Sequence, residues 1–65
     1  MILCDIGNTT ANIYEDGVYQ KVMISEFKPE SLMGEVWYVS VNHALTKIVE
    51  SLANWHNVLS LIDRD

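Results

Sequence analysis

One alternating stretch, several short apolar strand-like runs and one segment with helical spacing follow one another along this chain, an order that predicts an α/β fold. Met1-Ile2-Leu3-Cys4 is a short apolar run of the kind a covered strand shows. It leads directly into the small and polar segment Asp5-Ile6-Gly7-Asn8-Thr9. From Thr10 to Tyr14, Ala11 and Ile13 alternate with Thr10, Asn12 and Tyr14, the period of a half-buried strand. Glu15-Asp16-Gly17-Val18 then supplies an Asp-Gly hairpin turn, and Val18 to Ile24 is the returning strand. The first unit is therefore a three-stranded antiparallel meander.

Between Ser25 and Gly34 the β pattern breaks. Pro29 removes a backbone donor, Pro29 to Met33 allows one helical turn, and Gly34 can end it. Glu35 to Val41 is rich in Val, Trp and Tyr without strict alternation, as expected of a strand covered on both faces. Asn42 can cap a helix that runs from His43 to about Trp55, with Leu45, Ile48, Val49 and Leu52 on one apolar stripe and Lys47, Glu50 and Asn54 facing water. Asn57 breaks that period. Val58 to Ile62 suits a further buried strand, which completes a β-α-β crossover. The expected layout is a mixed sheet: a meander, then α-β-α-β if the connector's short helix is counted.

A chain of 65 residues buries only about 60% of its unfolded surface, so one core is all it can build. A sheet with a helix on one side leaves the other face and an edge bare, and the expectation is one incomplete domain segment spanning residues 1–65. The 49% hydrophobic content and the scarcity of Pro and Gly argue against disorder. Nine acidic residues against four basic ones give a net charge of −5, and Lys21, Lys28, Lys47 and Arg64 are too dispersed to track a phosphate backbone. Nucleic acid is therefore not an expected partner. A single cysteine makes no internal disulfide, and no apolar run approaches the ~20 residues a bilayer span requires. A cytoplasmic location and no membrane association are expected.

The candidate chemistry lies at the end of the first strand. Gly7 has no Cβ to block the approach of phosphates, and the backbone N–H groups from Ile6 to Thr9 can form an anion-binding concavity. Asp5 alone would repel a triphosphate, so its carboxylate makes sense beside Mg²⁺, held directly or through the ion's waters. Asn8 and Thr9 supply neutral donors. Thr10 and Asn12, which share a strand face, are candidates for the edge of a nucleotide cleft or for plain solvent exposure. Gly-Asn between two strands also reads as an ordinary two-residue hairpin turn that needs no ligand.

Asp5-Ile6-Gly7-Asn8-Thr9 after an N-terminal strand resembles the first phosphate motif of type III pantothenate kinases, members of the acetate-kinase/sugar-kinase/Hsp70/actin superfamily. Trp37-Tyr38-Val39-Ser40-Val41-Asn42 is similar to that family's fourth strand and the Ser-Val turn into its next helix; Thr10 stands where an Asn is frequent. The resemblance implies the N-terminal part of an RNase H-like (actin-like ATPase) domain. It implies ATP and Mg²⁺ as cofactors, pantothenate as the substrate phosphorylated in the opening step of coenzyme A synthesis, a homodimer, and a K⁺ or NH₄⁺ requirement. The site residues it implies are Asp5, Ile6, Gly7, Asn8, Thr9, Thr10 and Asn12, with Asp5 at the metal. It also implies a general-base aspartate in a Gly-x-Asp-Arg segment. Leu61-Ile62-Asp63-Arg64 lacks that glycine, so no catalytic base is expected in this chain.

Other constellations are weaker. His43 and His56 have no second ligand at metal spacing, and structural or solvated roles are expected, with His56 near a helix C-terminus. Cys4, inside an apolar strand, is expected to be a buried and inert thiol. Trp37, Tyr38 and Trp55 are assigned to packing, and the absence of a G-x-x-x-x-G-K-[ST] segment excludes a Walker-type loop. The alternative to a kinase segment is a non-catalytic regulatory or interaction module of the same fold.

Overall fold

The computed structural model of the chain describes residues 1–58. Five strands make one mixed sheet in the order β3-β2-β1-β4-β5. They are β1 (Ile2–Ile6), β2 (Thr10–Glu15), β3 (Val18–Met23), β4 (Val36–Ser40) and β5 (Trp55–Asn57), with one α-helix, α1 (His43–Glu50), between the last two. The first three strands pair antiparallel, as the alternation predicts, and β4 joins β1 in parallel, as does β5 with β4. At the β2–β3 turn Asp16 and Gly17 take φ of 52° and 81°, the left-handed values a two-residue turn demands.

The core lies on one face of the sheet. Ile2, Cys4 and Ile6 of β1 line up with Ala11 and Ile13 of β2 and with Val36 and Tyr38 of β4, and α1 closes over them with Leu45 and Val49. Trp55 completes the cluster from β5, its ring 5.6 Å from that of Tyr38 and 6.2 Å from that of Phe27. Among the described residues no helix covers the opposite face, where Leu3, Tyr14, Tyr19, Met23 and Val39 are exposed and Val58 joins Leu3, Tyr14 and Val39 in lining a shallow cavity. The expectation that β4 is covered on both faces is therefore corrected, because the only α-helix among the described residues packs on one side.

Several boundaries differ from the sequence reading, each for a local reason. Asp5 and Ile6 belong to β1 rather than to a loop, since β1 is central and its pairing with both β2 and β4 extends through Ile6. The returning strand ends at Met23, and Ile24 opens a 3₁₀ turn, Ile24–Glu26. The connector's helical turn spans Pro29–Ser31 and stops short of Gly34.

Helix α1 ends at Glu50, not near Trp55. Ser51 Oγ folds back onto the Ile48 carbonyl at 2.6 Å, and Asn54 Nδ2 donates to the carbonyls of Leu32 and Gly34 at 2.9 and 2.8 Å. Those bonds draw the chain off the helix axis, and Trp55 pairs with Val36 as a strand residue. The helical stripe is correspondingly narrower: Leu45 and Val49 are buried, whereas Ile48 is exposed. His56 thus lies in β5, not at a helix end, with Nε2 2.5 Å from Glu35 Oε1 and its ring 4.6 Å from that of Trp37. β5 at Trp55–Asn57 is a strand the sequence reading did not expect; of the strand expected at 58–62 only Val58 is among the described residues, and 59–62, with Asp63 and Arg64, lie outside them.

Candidate functional site

The parallel β1–β4 pair carries the candidate site at its C-terminal end. Val41 N–H donates to the Ile6 carbonyl at 3.0 Å, so the ends of the two strands stay together as the chain turns away. Gly7 N–H donates to the Thr10 carbonyl at 2.9 Å and closes a two-residue hairpin tip made of Asn8 and Thr9. The expected Gly7-Asn8 turn is thus shifted by one residue to Asn8-Thr9, because Gly7 still pairs with Thr10, and the hairpin and the candidate phosphate loop are the same piece of backbone.

What favours a glycine at position 7 is space rather than an unusual φ. Among the described residues only Asp16 and Gly17 have positive φ, whereas a Cβ on Gly7 would stand 3.3 Å from the Thr10 carbonyl oxygen. Gly7→Ala is expected to cost about 1 kcal/mol through this overpacking, read as a lower urea midpoint with an unchanged slope.

The concavity expected from Ile6 to Thr9 is smaller in the structure. Ile6 is a wholly buried strand residue, and Gly7 N–H is committed to Thr10. What remains is the tip. Asn8 is exposed, and among the described residues neither its backbone N–H nor its side chain has a hydrogen-bond partner. Thr9 is also exposed, its carbonyl receiving Ile24 N–H at 2.8 Å.

Asp5 projects from β1 onto the face opposite the core, where its cross-strand neighbours are Asn12 on β2 and Val39 on β4. No basic group lies within ion-pair distance of its carboxylate among the described residues. Asn12 Oδ1 accepts from the Tyr19 hydroxyl at 2.7 Å, which leaves the amide NH₂ of Asn12 as the group available beside Asp5. Thr10, half-buried at the start of β2, uses its carbonyl to close the hairpin. The seven candidate residues thus divide: Asp5 and Asn12 lie side by side on the face opposite the core, Asn8 and Thr9 form the tip, and Ile6, Gly7 and Thr10 hold the hairpin together. Among the described residues no cluster of three or more His, Cys, Asp or Glu is assembled to hold a metal. A lone, unpaired carboxylate suits Mg²⁺, which keeps several waters and is completed by substrate phosphates.

The sequence places Ser40 and Asn42 at the turn into α1, with Asn42 as its cap, but gives neither of them, nor Thr46, a bond to the loop or to one another. Asn42 Oδ1 does cap α1, accepting Leu45 N–H at 3.1 Å, but its Nδ2 also donates to the Gly7 carbonyl at 3.2 Å. Ser40 Oγ accepts Asn42 N–H at 3.1 Å, and Thr46 Oγ1 lies 2.8 Å from both Ser40 Oγ and the Asn42 carbonyl. No local pattern in the sequence signals a contact across 35 residues.

Burial, and secondarily the neighbouring Asp5 carboxylate, push the Cys4 thiol up from 9.0 to about 12. The thiol is thus protonated in the fold at neutral pH and matches the expected inert group. A group whose folded value is raised contributes stability that is intact below its unfolded value and lost as pH climbs toward the folded one. Stability is accordingly expected to be flat up to about pH 9 in this respect and to fall between about 9 and 12. Tyr38, raised by burial and then by Glu50, adds to the alkaline loss in the same sense. Urea titrations across that range on the chain and on Cys4→Ala test this, the variant showing the shallower decline.

No protein-family model matches the chain. Curated type III pantothenate kinases do. That of Sulfurimonas denitrificans is 35% identical over 63 residues, covering 97% of this chain and 31% of the relative. That of Campylobacter hominis is 43% identical over 42 residues, which is 65% of this chain and 20% of the relative. Among solved structures, a Campylobacter jejuni protein described as a conserved Baf-family transcriptional activator superposes with a TM-score of 0.75 at 29% identity, covering all of this chain and 31% of that one. The chain spans about a third of the length of these relatives. Over nearly its whole length, then, this chain is a relative of the type III pantothenate kinases, and it fits as their N-terminal segment.

Proposed function

We propose that this chain contributes the first phosphate and Mg²⁺ loop of a pantothenate kinase, which transfers the γ-phosphoryl group of ATP to pantothenate. In this reading its sheet opens an RNase H-like, actin-like ATPase domain, and the working enzyme is a homodimer that uses K⁺ or NH₄⁺. The observation that carries the reading is the exposed Asn8-Thr9 tip, its Asn8 donors unpartnered among the described residues, following in the chain on an Asp5 carboxylate that has no ion-pair partner among them. Asn8 and Thr9 would donate to phosphate oxygens, and Asp5 would hold Mg²⁺ directly or through its waters, neutralising charge on the transferring group.

Phosphoryl transfer depends on positioning and on charge stabilisation, and a base-bearing segment is needed to orient the acceptor hydroxyl. The chain's Asp63-Arg64 pair lacks the preceding glycine of the family's base segment, so turnover by this chain alone is expected to be negligible. Isothermal titration of the chain with a non-hydrolysable ATP analogue, with and without Mg²⁺, is the deciding measurement. Magnesium-dependent binding supports the phosphate loop, whereas no binding by a chain with native circular dichroism overturns it.

A second reading, a non-catalytic regulatory or interaction module, draws on the description of the Campylobacter jejuni structural neighbour as a transcriptional activator. It predicts a folded chain that is indifferent to nucleotide.

A further inference from the structure

We infer that Asn42 is a positioning residue for the candidate phosphate loop, acting as a clamp that ties the hairpin to the start of α1. This rests on the phosphate-loop reading for its functional consequence, though the clamp itself stands on geometry. The Asn42 side chain is the one side-chain hydrogen bond among the described residues that reaches the Gly7–Thr9 segment. Its two ends are spent on different elements: Oδ1 on Leu45 N–H of the helix, Nδ2 on the Gly7 carbonyl.

Asn42 itself is held firmly. Its N–H is bonded to Ser40 Oγ, and its carbonyl receives Thr46 N–H at 2.9 Å and the Thr46 hydroxyl at 2.8 Å. The Ser40–Thr46 contact at 2.8 Å braces that arrangement from the half-buried core side. A rigid, doubly anchored amide therefore grips the carbonyl of the residue that opens the hairpin tip, and sets where Asn8 and Thr9 stand relative to α1. A Ser or Asp at this position would cap the helix almost as well, since each offers a side-chain oxygen. Neither has an amide NH₂ to give to Gly7. The clamp, not the cap, is what requires asparagine.

The test uses the full chain with Asn42→Ser and Asn42→Asp, both of which keep the helix cap. Amide hydrogen exchange of Gly7 reports closure of the hairpin, and that of Thr46 reports the first turn of α1. Gly7 is expected to exchange about fivefold faster in both variants, the factor one ordinary hydrogen bond is worth, while Thr46 stays within about twofold. Affinity for the ATP analogue with Mg²⁺ is expected to fall by about the same factor in Asn42→Ser, whose side chain adds no charge.

Unchanged Gly7 exchange in both variants would overturn the clamp, as would equal acceleration at Gly7 and Thr46, which would mark Asn42 as a helix cap alone. Faster Gly7 exchange with unchanged analogue affinity would overturn the positioning role. Should the unsubstituted chain bind no nucleotide, the phosphate-loop reading falls, and the exchange data still decide the clamp.

Discussion

Asp5→Asn is expected to remove the magnesium-dependent part of nucleotide binding, a loss of at least about tenfold in affinity, or about 1.4 kcal/mol. The substitution keeps shape and removes charge. Asn can still present an oxygen to water, but it no longer offsets the charge of a hard divalent cation. Because Asp5 is exposed and has no ion-pair partner among the described residues, the fold should hardly notice, with stability changing by about 0.5 kcal/mol or less. This separation makes the result interpretable: affinity moves while the urea midpoint does not. Equal affinities for chain and variant in the presence of Mg²⁺ would take Asp5 out of the site. A fall in affinity that appears equally without Mg²⁺ would point to a direct contact with the nucleotide instead of a metal.

Trp55→Ala is expected to abolish the folded state. Removing a buried Trp costs about 3–5 kcal/mol, and a single core below about 70–80 residues rarely supplies more than about 3–5 kcal/mol in total. Trp55 is also where the crossover returns. It packs on Tyr38 and Phe27, it registers with Val36, and β5 has only three residues with which to hold the edge of the sheet. Near-UV circular dichroism should collapse in the variant. Trp55→Phe should retain it, because the indole N–H is buried without a hydrogen-bond partner among the described residues and its removal forfeits no such bond. A cooperative urea transition in Trp55→Ala close to that of the unsubstituted chain would show that β5 contributes little.

The meander was legible because its signals are local. Alternation at Ala11 and Ile13 and the Asp16-Gly17 pair fix strand faces and turn within a few residues, and short-range sterics suffice to set both. The start of α1 was legible for the same reason, since Asn42 reaches its own third neighbour. The end of that helix was not. The apolar spacing continues through Leu52, and Asn54, bonded to carbonyls 20 and 22 residues back, together with the local Ser51 bond, turns the chain so that Trp55 becomes a strand residue. Tertiary hydrogen bonds overrode a helical pattern that carried too little propensity to resist them.

The candidate site divides in the same way. Its residue types and order, Asp5 through Thr9, are properties of the sequence; a small residue at Gly7 is expected there from the chemistry of phosphate approach, whereas the structure supplies a different reason, the nearby Thr10 carbonyl. Which groups remain available depended on the fold. Pairing on both sides drew Ile6 into the sheet, hairpin closure consumed Gly7 N–H, and the strand's alternation sent Asp5 to the face opposite the core beside Asn12. By itself the sequence determined the meander and the helix cap, because these rest on periodicity and near-neighbour bonding. Only the tertiary structure decided the length of α1, the place of β5, and the grip of Asn42 on Gly7. Each of those rests on contacts between residues far apart in the chain, whose formation depends on the collapse of the whole chain rather than on any segment's own preference.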